Sequence, residues 1–131
     1  MKKILLVPLA AAAIYGCATA APETTPAEQA SLDQALAGRT AEAPVSCVNQ
    51  RQIRGNKGYG EGAILFTTNS RSLVYVNRPP NGCPALTWSR AMRTTSSTNQ
   101  LCRGDLVTIF DPTSGIDYGS CGLGDFTPYR R

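Results

Sequence analysis

Residues 63–77 read AILFTTNSRSLVYVN, and this stretch decides the fold of the chain. Two runs rich in β-branched and aromatic residues, 63–68 and 72–77, flank a polar triplet at 69–71. Short apolar runs that are separated by a three-residue polar connection are typical of a β-hairpin. The sequence therefore predicts an antiparallel pair of strands here, around which the rest of the fold is organised.

The same pattern of short apolar runs separated by polar residues continues after Pro44. Residues 106–110, LVTIF, form another β-branched run, which ends at Asp111-Pro112. No long helical period appears in this part, and weaker strand signals lie at 47–54, 86–93 and 118–127. Five or six strands in about 85 residues predict an all-β domain, either a small antiparallel barrel or a strongly curled sheet.

Two short motifs imitate functional signatures without having their context. The glycine-rich segment 55–62, GNKGYGEG, lacks the Gly-Lys-Ser/Thr order of a phosphate-binding loop, and no predicted helix follows it. We expect this segment to be a mobile loop. Residues 103–105 spell the adhesion tripeptide Arg-Gly-Asp, but they follow Cys102 and lead directly into a strand, so turn geometry explains them.

The predicted β domain contains four cysteines: Cys47, Cys83, Cys102 and Cys121. An even number of cysteines in a small exported domain indicates two disulfides, which stabilise a core of limited size. Three pairings are possible. We favour Cys47 with Cys121, which ties the two ends of the domain together, and Cys83 with Cys102. Zinc is disfavoured because the chain has no histidine and no Cys-x-x-Cys motif, so we expect neither a metal nor a cofactor.

The first 17 residues have the features of a bacterial lipoprotein export signal. Two lysines precede an apolar run at 4–14 that is too short to span a bilayer, and the small residue Gly16 precedes Cys17. We expect cleavage before Cys17 and lipidation of its thiol, so that the mature chain is held by acyl chains and has no transmembrane helix.

The residue after the modified cysteine indicates the membrane in which the mature protein is anchored. Ala18 stands where an aspartate would signal retention in the inner membrane of enteric-type bacteria, which favours the periplasmic side of the outer membrane. The alternative is conventional signal-peptide cleavage at Ala20 or Ala21, which would release a soluble periplasmic protein.

The predicted organisation has three parts: a signal peptide at 1–16, a lipidated N-terminus and spacer at 17–44, and the four-cysteine β domain at 45–131. The spacer is rich in Ala, Thr, Glu and Pro and contains no aromatic residue, so we expect a flexible linker that packs no core. Within it, residues 25–28 have the form of a capping box. A short helix is predicted at 26–37, which is marginal unless it docks on the domain.

The charge of the β domain limits the class of partner. From Val45 to the end, the chain has ten basic and five acidic residues. Such a surface suits an anionic glycolipid or an envelope protein as partner, besides the membrane that the lipid on Cys17 would enter. Nucleic acid is not expected, because the compartment is wrong and no nucleic-acid-binding motif is present.

The absence of histidine limits the possible chemistry. Nucleophile systems of the Ser-His-Asp and Cys-His types are excluded, whereas paired carboxylates remain possible. The available carboxylates each lie next to a glycine, a proline or a strand end, which indicates a role in turns or caps: Glu61, Asp105, Asp111, Asp117 and Asp125. We therefore expect a non-catalytic binding or structural module. The alternative is a cell-wall glycan hydrolase that uses paired carboxylates.

A proline-rich segment at 77–86 provides the candidate binding loop. Prolines cannot donate ladder hydrogen bonds, so the chain is expected to leave the sheet here as an extended loop that Cys83 holds in place. Trp88, with nearby arginines, either forms a stacking surface for a glycan or a peptide or fills the core. The candidate binding residues are Arg78, Pro79, Pro80, Trp88 and Arg103.

Several motifs around the cysteines occur in a fixed succession, among them CPAL at 83–86, LCRGD at 101–105 and CGLGDF at 121–126. In this respect the chain, over residues 45–128, resembles a family of small exported bacterial proteins known only as a domain of unknown function. The resemblance implies that the four cysteines belong to one shared framework. It brings no activity, substrate or catalytic residue with it.

Overall fold

The computed structural model describes Gly16, residues 24–86 and residues 90–131. Within these residues one short α-helix precedes ten short β-strands. Their bounds are α1 Pro26–Ala35, β1 Thr40–Ala41, β2 Cys47–Asn49, β3 Ile53–Tyr59, β4 Ala63–Thr68, β5 Leu73–Asn77, β6 Ala91–Thr94, β7 Gln100–Cys102, β8 Leu106–Phe110, β9 Asp117–Gly122 and β10 Phe126–Arg130. The predicted mostly-β class is confirmed.

The strands form three antiparallel sheets. The largest has five strands in the order β1-β10-β5-β4-β3, and the smaller sheets are β2-β7 and β6-β8-β9. Over the described part of the chain these sheets remain open and do not close into a barrel. The barrel alternative is therefore not the one that forms. Several short sheets cover one another instead, which buries apolar side chains without a continuous ring of strands.

The predicted hairpin is confirmed and lies at the centre of the molecule. Strands β4 and β5 pair in register, with Leu65 opposite Val76 and Phe66 opposite Tyr75. Because successive side chains on a strand point to opposite faces, Ile64 and Phe66 lie on one face of the sheet and Leu65 on the other. All three are buried, so the five-stranded sheet is covered on both faces.

Two apolar clusters fill these two faces. The larger cluster lies between the five-stranded sheet and the two small sheets and is made of Val48, Ile64, Phe66, Cys83, Leu86, Met92, Leu101, Val107, Ile109, Cys121, Leu123 and Phe126. The smaller cluster lies between the opposite face of the sheet and α1, and is made of Leu32, Tyr59, Ala63, Leu65, Val74 and Val76. The domain thus has three layers, with the five-stranded sheet in the middle.

The helix predicted within the spacer is confirmed, together with its capping box. The Thr25 side chain accepts a hydrogen bond from the backbone N–H of Glu28, whose carboxylate accepts one from the backbone N–H of Thr25. The prediction that the spacer packs no core is wrong from this helix onward, because Leu32 is completely buried and β1 pairs with β10. No helix among the described residues has the length and apolarity that are required to cross a membrane.

The glycine-rich segment is not a mobile loop, and this prediction is wrong. Residues 53–59 form β3, which pairs with β4 from Gly55 to Tyr59 and, beyond a bulge at Arg54, at Ile53. Glycine is needed at position 58 because a Cβ atom there would lie 2.5 Å from the Leu86 side chain. Gly60 has a φ of +65° in the turn between the strands, a conformation that favours glycine.

The structure contains two disulfides, but their pairing differs from the one that we favoured. Cys47 is bonded to Cys102, and Cys83 is bonded to Cys121. The first pair is fixed by strand register, since Cys47 and Cys102 lie directly opposite each other in the β2-β7 ladder. The second pair joins the proline-rich loop to β9. Neither pairing was readable from the order of the cysteines, because each depends on which strands become neighbours.

The docking of α1 gives the first prediction. Replacing the completely buried Leu32 by alanine leaves a cavity under the helix and should lower the free energy of unfolding by about 2 to 5 kcal/mol. Leu106→Ala is the matched control, because this leucine is 62% exposed and its loss should cost about 0.5 kcal/mol or less. Urea denaturation followed by circular dichroism measures both values. Equal stabilities of the two variants would contradict the docked helix.

Candidate functional site

Three of the five predicted binding residues meet in one cavity of 530 Å³: Arg78, Pro80 and Arg103. Its remaining wall is formed by Val76, Gly124, Asp125, Thr127 and Tyr129. We call this cavity the arginine groove. Arg78 follows β5, and Arg103 lies in the turn between β7 and β8. The opposite wall comes from β10 and the residues before it.

A reciprocal pair of hydrogen bonds holds the two walls of the groove together. The Asn77 side chain donates to the Gly124 carbonyl oxygen at 2.8 Å, and the Gly124 backbone N–H donates to the Asn77 Oδ1 at 2.9 Å. Asn77 is completely buried, so these bonds satisfy polar groups that water does not reach. They fix the end of β5 against the loop that precedes β10.

Gly124 is glycine because the backbone passes very close to the arginine that follows Asn77. A Cβ atom at this position would lie 2.5 Å from the carbonyl oxygen of Arg78. Any other residue would therefore push the Arg78 backbone away. The position of Arg78 in the groove thus depends on a close contact between main chains.

The Arg-Gly-Asp tripeptide forms the turn that the sequence predicted. The backbone N–H of Asp105 donates to the Cys102 carbonyl oxygen at 3.0 Å, while the Asp105 carboxylate accepts from the Cys102 N–H at 2.7 Å. Gly104 has a φ of +88° and donates its N–H to the Leu123 carbonyl oxygen at 2.9 Å. The turn therefore directs Arg103 toward the loop that contains Asp125.

The groove has an excess of positive charge. Arg103 Nη1 lies 3.4 Å from the Asp125 carboxylate, and these side chains are 61% and 41% exposed. Arg78 Nη2 donates to the Gln29 side-chain oxygen at 3.4 Å and has no carboxylate partner within the described residues. Exposed ion pairs contribute little to stability, so Arg103 can exchange Asp125 for another anion at small cost. The arrangement suits an anionic ligand.

The other predicted binding residues do not line the groove. Pro79 is buried next to it, and Trp88 lies outside the described residues, as does the predicted lipidation site Cys17. Tyr75 packs edge-on against Phe126 at a centroid distance of 6.4 Å and belongs to the core. Among the described residues, the predicted binding residues that line the groove are therefore two arginines and Pro80.

Four of the five candidate carboxylates make hydrogen bonds or ion pairs, among them Asp105 and Asp125 as described above. Asp111 accepts hydrogen bonds from the backbone N–H groups of Thr113 and Ser114, and these bonds lower the pKa of its carboxyl group below the ordinary value. Asp117 pairs with Arg93 at 3.0 Å. Among the described residues no group of three His, Cys, Asp or Glu side chains is placed to hold a metal ion.

Five of the eight residues that line the groove were not among the predicted binding residues: Val76, Gly124, Asp125, Thr127 and Tyr129. The buried Asn77 behind the groove was not predicted either, although it had a recognisable signal. An amide at the end of an apolar strand must find buried partners if the strand lies at the centre of a sheet. The sequence does not show which backbone provides them.

A family model described as "Family of unknown function (DUF6491)" matches residues 1–122. Because this match covers most of the chain, the chain belongs to that family. The matched region contains Arg78 and Arg103, whereas the groove residues from Gly124 onward follow it. No curated protein and no solved structure matches the chain.

The buried amide gives the second prediction. Asn77→Ala removes both partners of Gly124 and leaves its N–H and carbonyl groups unsatisfied, so the free energy of unfolding should fall by about 2 to 4 kcal/mol. Asn69→Ala is the control, because Asn69 lies in an exposed turn and its side chain has, among the described residues, a single long hydrogen bond of 3.5 Å to the Arg51 carbonyl oxygen. Denaturant unfolding measures both. A loss at position 77 no larger than that at position 69 would contradict the assigned role.

Proposed function

We propose that this member of the family is an exported, lipid-anchored binding module that holds an anionic glycan group, such as the phosphorylated head of an envelope glycolipid, in the arginine groove. The observation that carries the proposal is the meeting of Arg78 and Arg103 in one cavity. These arginines come from different strand connections, yet the Asn77–Gly124 pair and the Arg-Gly-Asp turn bring them to the same place.

The chemistry of the groove favours a charged sugar. Guanidinium groups bind phosphate and carboxylate oxygens through two parallel hydrogen bonds. Thr127 and Tyr129 contribute hydroxyl groups, Asp125 is an acceptor for sugar hydroxyls, and Val76 and Pro80 contribute apolar surface. A concave site with a few polar groups fits a small ligand head, whereas a protein partner buries a larger surface.

The position of the groove next to α1 supports a ligand in the membrane. Gln29, in the first turns of α1, contacts both Arg78 and the Thr24 hydroxyl. The chain that leads back to Cys17 therefore enters the domain beside the groove. Residues 18–23 span at most about 20 Å when extended, so a lipid on Cys17 would keep the groove close to the headgroups.

Export to an oxidising compartment is supported by two features. The sequence at 1–17 has the charge, apolar run and terminal cysteine of a lipoprotein signal. The two disulfides are compatible with the periplasm and are rare in the cytosol. The hydrogen bonds that Asp105 and Asp111 accept within turns favour binding over glycan hydrolysis.

Lipid anchoring predicts a specific mass. The protein purified from membranes should begin at Cys17 and carry a diacylglyceryl group on its thiol, with an acyl chain on the new amino group. Intact mass spectrometry measures this directly, and Cys17→Ser is the control that should abolish the modification. An unmodified mature chain that begins near Pro22 would contradict the anchor and favour the soluble alternative.

If the groove binds the ligand, replacing either Arg78 or Arg103 should lower the affinity for it by a similar factor. Purified protein in detergent should bind a phosphorylated envelope glycolipid, and Arg78→Gln or Arg103→Gln should weaken binding by about tenfold or more, because each removes a charge-assisted contact. Arg54→Gln is the control, since this exposed arginine of β3 does not line the groove. Calorimetric titration gives the dissociation constants.

Three outcomes would overturn this proposal. The first is equal binding by all variants. The second is a stoichiometric envelope protein captured through Arg78 in place of the glycolipid. The third is turnover of purified peptidoglycan that is lost in Asp125→Asn or Asp105→Asn, which would establish the hydrolase alternative.

A further inference from the structure

A second group of arginines lies at the other end of β5. Arg39, which follows α1, donates through Nη2 to the Arg71 carbonyl oxygen at 2.9 Å. The backbone N–H of Arg131 donates to the Ser72 carbonyl oxygen at 2.9 Å, which brings Arg131 to the same turn. We call Arg39, Arg71 and Arg131 the arginine cluster.

The guanidinium group of Arg39 is incompletely bonded. Its Nε and Nη1 atoms are shielded from solvent and have no hydrogen-bond partner within the described part of the chain. The Nη2 atom is at the surface and carries two N–H groups, of which the contact with Arg71 uses one. Within Arg39, the donor that an external ligand can reach is therefore the second N–H of Nη2.

The charge of the cluster is also uncompensated. Burial and the nearby charge of Arg131 both lower the pKa of Arg39 below its ordinary value. None of the three arginines has a carboxylate within salt-bridge distance among the described residues, whereas their neighbour Arg130 pairs with Glu42 at 2.8 Å. A water molecule at Nη2 would not offset the repulsion between Arg39 and Arg131, whereas an oxyanion there would offset it.

We propose that the arginine cluster binds a phosphate-type oxyanion, with the Arg39 guanidinium as the central donor and Arg71 and Arg131 at the rim. This site is separate from the arginine groove. Arg71 precedes β5 and Arg78 follows it, so the length of this five-residue strand, about 16 Å, lies between the two sites. The cluster therefore forms a second anionic contact, independent of the proposed glycan site.

Thermal unfolding in the presence of inorganic phosphate tests the site. The experiment uses the full purified protein in detergent, with chloride added to keep the ionic strength constant. The unfolding temperature should rise saturably, by about 5 °C when phosphate reaches about ten times its dissociation constant. In Arg103→Gln protein, where binding in the groove is weakened, the further change Arg39→Gln should abolish the rise, and Arg131→Gln should reduce the phosphate affinity by about threefold to tenfold.

Two control variants separate phosphate binding at the cluster from phosphate binding elsewhere on the protein. Arg51→Gln removes an exposed arginine outside the cluster and should leave the phosphate response unchanged. Arg103→Gln weakens phosphate binding in the groove, so a saturable response that persists in this variant comes from the cluster. A response that is lost in Arg103→Gln and kept in Arg39→Gln would overturn the cluster while supporting the groove. Absence of a saturable response in the wild-type protein would also overturn it. If Arg39→Gln does not fold, an unchanged affinity in Arg131→Gln decides against the site.

The source of the oxyanion is distinguished by reconstitution. The protein is placed in vesicles of phosphatidylglycerol or of phosphatidylcholine, without free phosphate. A higher unfolding temperature in phosphatidylglycerol that Arg39→Gln removes identifies the ligand as a lipid headgroup. Equal unfolding temperatures in the two vesicles, with the response to inorganic phosphate retained, identify it as a free ion.

Discussion

The reciprocal hydrogen bonds between Asn77 and Gly124 are the contact on which the shape of the arginine groove depends. They join the end of β5, a central strand, to the loop that leads into β10. Because Asn77 is completely buried, its amide has no alternative partner in water. The same contact brings the Gly124 backbone against the Arg78 carbonyl oxygen. The shape of the arginine groove is thus determined by these buried contacts, and its charge is determined by the exposed side chains around it.

The layered architecture explains how so small a domain forms two distinct charged sites. The five-stranded sheet is covered on both faces, by α1 on one side and by the smaller sheets on the other. The two groups of arginines lie at opposite ends of β5, the arginine groove beside Arg78 and the arginine cluster beside Arg71. The disulfides fix the surrounding loops, which reduces the conformational entropy that a ligand must overcome.

Part of the arginine groove could be predicted from the sequence, because the sequence patterns that indicate it are local. A proline-rich break after β5 predicted the loop at Arg78, and the Arg-Gly-Asp turn predicted an exposed Arg103 before a strand. The residues on the opposite wall could not be predicted, because Asp125, Thr127 and Tyr129 reach the groove only through the pairing of β10 with β5. For the same reason the disulfide pairing that we favoured was wrong. Cys47 meets Cys102 because β2 pairs with β7, and no local pattern specifies that pairing.

The sequence by itself determined the mostly-β class, the central hairpin, the capped helix and the presence of a four-cysteine framework. Each of these depends on neighbours within a few residues, through side-chain alternation, turn chemistry or a capping box. Tertiary structure alone decided that the helix belongs to the core, that the glycine-rich segment is a strand, and which cysteines and arginines meet. These outcomes depend on burial and strand register between distant segments, where the free energy comes from contacts that a linear pattern does not contain.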